Sequence, residues 1–238
     1  MHLALARLSS RALLGVCLFT GVASAGIYND TVGDQAGSGD SEVDIRSVEV
    51  TNDATNINFK ITLVGDIAAA NFGNYHIGFD TTAGGKTTPG VAWGNPFGIG
   101  SGMDYWIGSW ANFGGGSELH QYTGDGTSNT WGPTIPGTTV SLAQFSTTIS
   151  IPLAAMNLVN GSVVKFDVWS TYGSPGGQSA YDASSNPAQT VPDPWNGTQY
   201  NSGSLVSTYT VSVPEPASIG ACTAVAVLAL TARRRPRG

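Results

Sequence analysis

The segment TNINFKITLV, residues 55–64, alternates without a break: Ile57, Phe59, Ile61 and Leu63 fall on one side, and Asn58, Lys60 and Thr62 on the other. A period of two belongs to an extended strand with one face covered and one face wet. Just upstream, residues 45–51 carry Val48 and Val50 in the same alternation. Asn52, Asp53 and Ala54 form a credible tight turn between the two, so these strands pair antiparallel. Ile45 is out of phase with Val48, which requires a bulge between them.

The same pattern recurs along the chain. Tyr75, Ile77 and Phe79 alternate with His76 and Gly78, and Met103, Tyr105 and Ile107 alternate with Asp104, Trp106 and Gly108. Leu119 to Thr123 is a shorter, more polar strand, and Thr138 to Ile151 holds one or two more. Val163 to Trp169 and Leu205 to Val213 complete the set. Pro152 to Leu158 reads as one short helix or helical turn, stopped by Asn160 and Gly161. Eight or nine strands with Gly- and Asn-rich turns predict an all-β chain, a two-sheet antiparallel sandwich of jelly-roll type, with a closed barrel as the second choice. Residues 171–203 show little periodicity, and a connection that long is either ordered by packing or ligands or partly mobile.

Both ends differ from this body. Met1 to Arg11 is basic through Arg7 and Arg11, Ala12 to Val22 is apolar, and Ala23-Ser24-Ala25 offers the small residues that signal peptidase accepts. Residues 1–25 therefore read as a secretory signal peptide cut before Gly26. At the other end, Val213-Pro214-Glu215-Pro216 breaks any regular element. An apolar run over 217–232 and the cluster Arg233, Arg234, Arg235 and Arg237 follow. That order predicts a membrane helix whose arginines stop at the cytoplasmic face, although 16 residues are fewer than the ~20 that a perpendicular helix needs.

Proline-glutamate-proline, apolar helix and arginine knot in this order closely resemble the PEP-CTERM sorting signal of bacterial exported proteins. The resemblance implies that the chain is the substrate of an exosortase, a membrane transpeptidase that would cut near Pro214 to Pro216. It also implies passage through the inner membrane, held by the C-terminal helix, on the way to the cell surface or beyond.

Between the ends, residues 26–213 form one domain-sized body. Cys17 and Cys222 both lie outside it, so it has no thiol for a disulfide or a metal. Its basic residues are Arg46, Lys60, Lys86 and Lys165, against fifteen acidic ones. So negative a surface repels nucleic acid and anionic lipid and attracts divalent cations. Asp30, Asp34, Asp40, Glu42 and Asp44 concentrate five carboxylates in a glycine-rich stretch. Oxygen ligands on a loop suit calcium, which takes 6 to 8 of them, but the spacing is not that of an EF-hand. A solvated, mutually repelling acidic loop is the other reading, and both stay open.

The tryptophans pose a similar choice. Trp93, Trp106, Trp110, Trp131, Trp169 and Trp195 are either core or flat faces for sugar rings. Trp106 points away from the Tyr105 and Ile107 face of its strand, and Trp110 shares its parity, so this pair is the candidate ligand platform. The body also resembles DOMON-like sandwich domains related to family-nine carbohydrate-binding modules. The shared features are Asp30, Gly33-Asp34, Asp44-Ile45 and the 56–61 strand, with 149–153, Asn160-Gly161, 166–168 and 180–183 later on. That resemblance implies a β-sandwich, with calcium and an aromatic-lined sugar site in some relatives.

Signals for catalysis are poor. Neither His-Glu-x-x-His nor Gly-x-Ser-x-Gly occurs. Gly85-Lys86-Thr87 lacks the upstream glycine of a phosphate loop, because Asp80 stands there. His76 and His120 have no Cys partner, and nothing marks Asp104 and Glu118 as a hydrolytic pair. The expectation is an exported, surface-sorted, non-enzymatic protein that adheres to extracellular polysaccharide or joins the envelope matrix. A glycan hydrolase or lyase using acidic residues is one alternative, and a coat component without a ligand is another.

Overall fold

The computed structural model describes residues 25–37, 40–173 and 177–213. These belong to one compact unit, Ala23–Val213. Sheet one has the order β1 (Ala25–Asn29), β2 (Ile45–Asn52), β3 (Asn56–Leu63), β9 (Ser146–Pro152), β8 (Thr139–Ala143). Sheet two runs β11 (Asp182–Ala183), β10 (Val163–Thr171), β4 (Asn74–Asp80), β6 (Tyr105–Trp110), β7 (Gly116–Gln121), and β13 (Ser207–Thr210) pairs with the first half of β10. A separate two-residue pairing joins β12 (Tyr200–Asn201) in parallel to β5 (Phe97–Gly98).

The deciding hairpin forms as its alternation predicts. Val48 lies opposite Ile61 and Val50 opposite Phe59, and the register slips between Ile45 and Ser47, which leaves Arg46 as the extra residue of a bulge. Asp53 closes the turn, its Oδ1 accepting from the Thr55 and Asn56 amides at 2.6 and 2.8 Å. Phe59 reaches across to sheet two and packs edge-on against Phe79 at 5.4 Å and Phe166 at 5.2 Å. With Val48, Ile61, Ile77, Ile107, Ile149 and Val168 it forms the intersheet core.

The jelly-roll expectation is corrected here. In that winding, strands adjacent in sequence lie in opposite sheets, whereas β2–β3, β6–β7 and β8–β9 each pair within one sheet. Short turns cause this: two residues, Gln144 and Phe145, separate β8 from β9, too few to carry the chain across a ~10 Å intersheet gap. Both sheets stay open at their edges, so the barrel is ruled out as well. Leu153–Met156 is a 3₁₀ turn, and the one α-helix among the described residues, α1, is Ile67–Ala70, started by Asp66, whose side chain accepts from the Ala68 and Ala69 amides.

Two expected helices, in the leader over residues 1–24 and in the apolar run over 217–232, lie outside the described residues, as do Ala23, Pro214, Glu215, Pro216, Arg233, Arg234 and Arg235. Among the described residues no helix is long and apolar enough to cross a membrane. The transmembrane element, the C-terminal membrane anchor and the inner-membrane stage are accordingly given up.

Sheet two is covered on both sides, which alternation alone did not reveal. On its outer face Trp106 and Trp169 pack with Phe97, Ile99, Met103, Val191 and Tyr200 in a second apolar cluster. The aperiodic stretch from 177 to 206 is therefore ordered packing. Glycines make room for it: a Cβ on Gly78 would stand 2.6 Å from the Trp169 ring, and one on Gly108 2.6 Å from that of Trp106. Both clusters lie inside the 23–213 unit, so this fragment carries the cores it needs to fold. We expect Phe59→Ala to cost about 3–5 kcal/mol and to lower the melting temperature of this fragment by roughly 6–20 °C, as calorimetry would measure.

Candidate metal centre

Three carboxylates from distant parts of the chain meet beside the start of β2. Asp30 follows β1, Asp34 lies four residues on, and Asp182 opens β11, and one oxygen from each lies within 4.8 Å of the others. The backbone fixes two of them. Asp182 Oδ2 accepts from the Ile45 amide at 2.6 Å and its Oδ1 from the Ala183 amide at 2.8 Å, while Asp30 Oδ1 accepts from Thr31 at 2.7 Å. Asp44 joins from the side, its Oδ2 accepting from Gly33 at 3.0 Å inside the same loop.

What sets the cluster apart is the set of oxygens left over. Asp30 Oδ2, both oxygens of Asp34, Asp44 Oδ1 and Gln35 Oε1 are buried and have no hydrogen-bond partner. Asp44 is 3 % exposed and Asp182 1 %. A buried, unpaired carboxylate oxygen is costly, and several together repel one another. Burial, then Asp34, Asp167 and Asp44, push Asp30 up to about 8. Burial and the neighbouring Asp30 push Asp182 up to about 9. Burial also raises Asp34 and Asp44. The exposed Arg46 offsets part of the repulsion at Asp44, but the ion pairs among the described residues lie elsewhere, at Lys165–Asp80 and His120–Glu118.

Behind the cluster, Asp167 is fully buried and held by the Val168 and Ser185 amides and the Ser184 and Ser202 hydroxyls, and burial raises it to about 6. Its oxygens are satisfied, so it acts on the cluster through its charge. Two things can offset the crowded charge: protons shared among the carboxylates, or one divalent cation, which cancels two of the negative charges and draws the others toward it. The donors are all oxygen, which suits a hard cation.

Of the four aspartates in the acidic stretch, Asp30 and Asp34 are in the group and Asp44 flanks it. Asp40 is not, and its backbone carbonyl accepts from Val43. Asp182 was missed as a ligand, because a lone aspartate in an aperiodic stretch gives no signal of the 137-residue separation across which it bonds Ile45. Ala25 and Gly26, at the expected leader cleavage site, begin β1 and pair with Thr51 and Val50. Val213 ends the described chain, its amide donating to Asn160 Oδ1 at 2.9 Å.

The aromatic candidates divide. Trp106 is fully buried among His76, Trp93, Trp131 and His120, so it offers no face to a sugar ring. Trp110, at the end of β6, is half-buried against Trp93 at 5.9 Å. His76 is kept neutral by burial, which lowers it to about 3, and its Nε2 pairs with Thr171 Oγ1. Asp104 Oδ2 accepts from the Thr81 and Thr82 amides, and Glu118 Oε2 accepts from Trp93 Nε1, so both suspected acids are tied into the structure.

The raised carboxylates set a pH dependence. Folded Asp30 and Asp182 keep protons that the unfolded chain releases near pH 4, so each stabilises the fold at low pH and loses that contribution as pH rises through its folded pKa. In chelator we expect the melting temperature of the 23–213 fragment to fall between pH 7 and pH 9. Saturating calcium should remove or reverse the slope, since cation binding needs the deprotonated form. A flat profile in chelator would contradict the assignment. No family model matches the chain, and no curated protein matches it, so the reading of this protein rests on its own residues.

Proposed function

We propose that this chain is an exported, non-catalytic β-sandwich protein that takes up a divalent cation, calcium by preference, and acts by adhesion to extracellular polysaccharide. The observation that carries the proposal is the set of buried, unpartnered oxygens of Asp30 and Asp34 gathered with the carboxylate of Asp182, with a further such oxygen on the flanking Asp44. Zinc favours nitrogen and sulfur ligands, and magnesium demands a near-ideal octahedron at 2.0–2.1 Å. Calcium accepts irregular oxygen sets of 6 to 8 at 2.3–2.6 Å, with water completing the shell. A depression lined by Tyr28, Asn29, Asp30, Thr31 and Ser185 lies beside the cluster. Such an ion ties the β1–β2 loop to β11, two segments far apart in sequence.

Export is supported by the leader pattern over residues 1–25 and by the resemblance of the tail to a sorting signal. Adhesion is supported by aromatic and amide side chains gathered at one end of sheet two, and by the structural engagement of Asp104 and Glu118, which speaks against the hydrolase alternative.

Calcium at about 100-fold over its dissociation constant adds ~2.7 kcal/mol, which for a domain of this size raises melting by roughly 5–10 °C. Magnesium should give less. In Asp34→Asn the repulsion is relieved but a ligand is lost, so the cation-free protein should melt no lower than wild type and the calcium increment should disappear. Melting that is insensitive to calcium would remove the cation. Absence of binding to any polysaccharide on a glycan array, with and without chelator, would remove adhesion.

A further inference from the structure

We propose that the cavity at the turn between β6 and β7 is a subsite for a neutral polysaccharide chain, with Trp110 and Phe113 stacking on its rings. The inference rests on the adhesion reading above and gives it a place and a substrate class. The cavity, of about 350 Å³, is lined by Asn74, Trp93, Trp110, Asn112, Phe113 and Gly173, with no ionisable group among them. Aromatic faces with an amide beside them suit a sugar: the ring C–H face meets the electron-rich aromatic face, and a hydroxyl meets the half-buried Asn112 amide, while Asn74 is buried and its amide donates to the Tyr172 carbonyl.

Phe113 is the telling residue. It is 94 % exposed and sits at φ 53°, ψ 30°, the left-handed region that a bulky side chain seldom enters. Neither packing nor backbone preference explains a phenylalanine there, and such outliers gather where a ligand is held. Trp110 is braced from behind by Trp93, which Glu118 anchors through its indole N–H at 2.9 Å. Trp110 is therefore held in place before anything binds. Along the strand ends, Trp110 lies opposite Asn74, and Asn74 opposite Thr171. Next to Thr171, Tyr172 stacks on Phe72 at 5.2 Å and on the 58 %-exposed Trp195 at 5.2 Å. A chain crossing the strand ends thus passes from one aromatic patch toward another. The acidic body repels polyanions, so the neutral class fits.

The test is affinity electrophoresis of the 23–213 fragment in gels containing neutral polysaccharides (a β-glucan, a xylan, a mannan) or an anionic one (alginate). Wild type should be retarded by at least one neutral polymer, and Trp110→Ala and Phe113→Gly should each weaken retardation about tenfold. Phe113→Gly should melt no lower than wild type, because glycine accepts the left-handed backbone, and Phe145→Ala, on the β8–β9 turn, should bind as wild type does. Neutral binding that survives both cavity substitutions overturns the subsite and leaves adhesion standing. Retardation by alginate alone overturns the neutral class. If wild type binds none of the polymers, adhesion itself fails.

Discussion

Carboxylates that have neither water nor a donor to face must be neutralised, and in this fold that constraint falls where the β1–β2 loop meets β11. Asp182 bonds the first amide of β2 at Ile45, and Gly33 bonds Asp44, so the loop and both sheets are stitched together by the same acids that repel one another. The stitching draws the cluster together whether protons or a cation neutralise it. At neutral pH only a cation leaves every carboxylate ionised and useful as a ligand.

The sandwich places this cluster at the margin of the two sheets and the aromatic cavity at the end of β4, β6 and β10. Sheet two links them. Its inner face packs against sheet one through Phe59, Phe79 and Phe166, and its outer face is sealed by residues 91–103 together with the segment from 177 to 206, which also supplies Asp182. An ion that pins Asp182 to the first loop therefore also steadies the part of the cover that reaches Trp169, whose indole N–H donates to Ser202. Trp93 and Trp131 are half-buried against that seal, whereas the half-buried Trp110 and the exposed Trp195 lie outside the second apolar cluster.

Much of the fold was legible because alternation is a local signal. Ile57 to Leu63 named the first hairpin, the phase break at Ile45 named the bulge, and Asp53 named the turn. Strand order was not legible, since it depends on which turns are too short to cross between sheets, and that decided against the jelly roll. The second face of sheet two was also hidden: His76, Gly78 and Gly108 read as a wet side, and they are covered by rings that arrive from far along the chain. Half of the candidate centre showed as an acidic cluster, but its completion by Asp182 needed three-dimensional proximity. Phe113 escaped notice because neither its exposure nor its left-handed backbone is written in its neighbours.

The most direct test of the central claim is calorimetric titration of calcium into the 23–213 fragment at pH 8, in two buffers of different ionisation enthalpy. The account predicts one saturable site, with proton release visible as a buffer-dependent heat, because the ion displaces protons held by Asp30 and Asp182. Saturation with no difference between buffers, or no heat of binding at all, would contradict it.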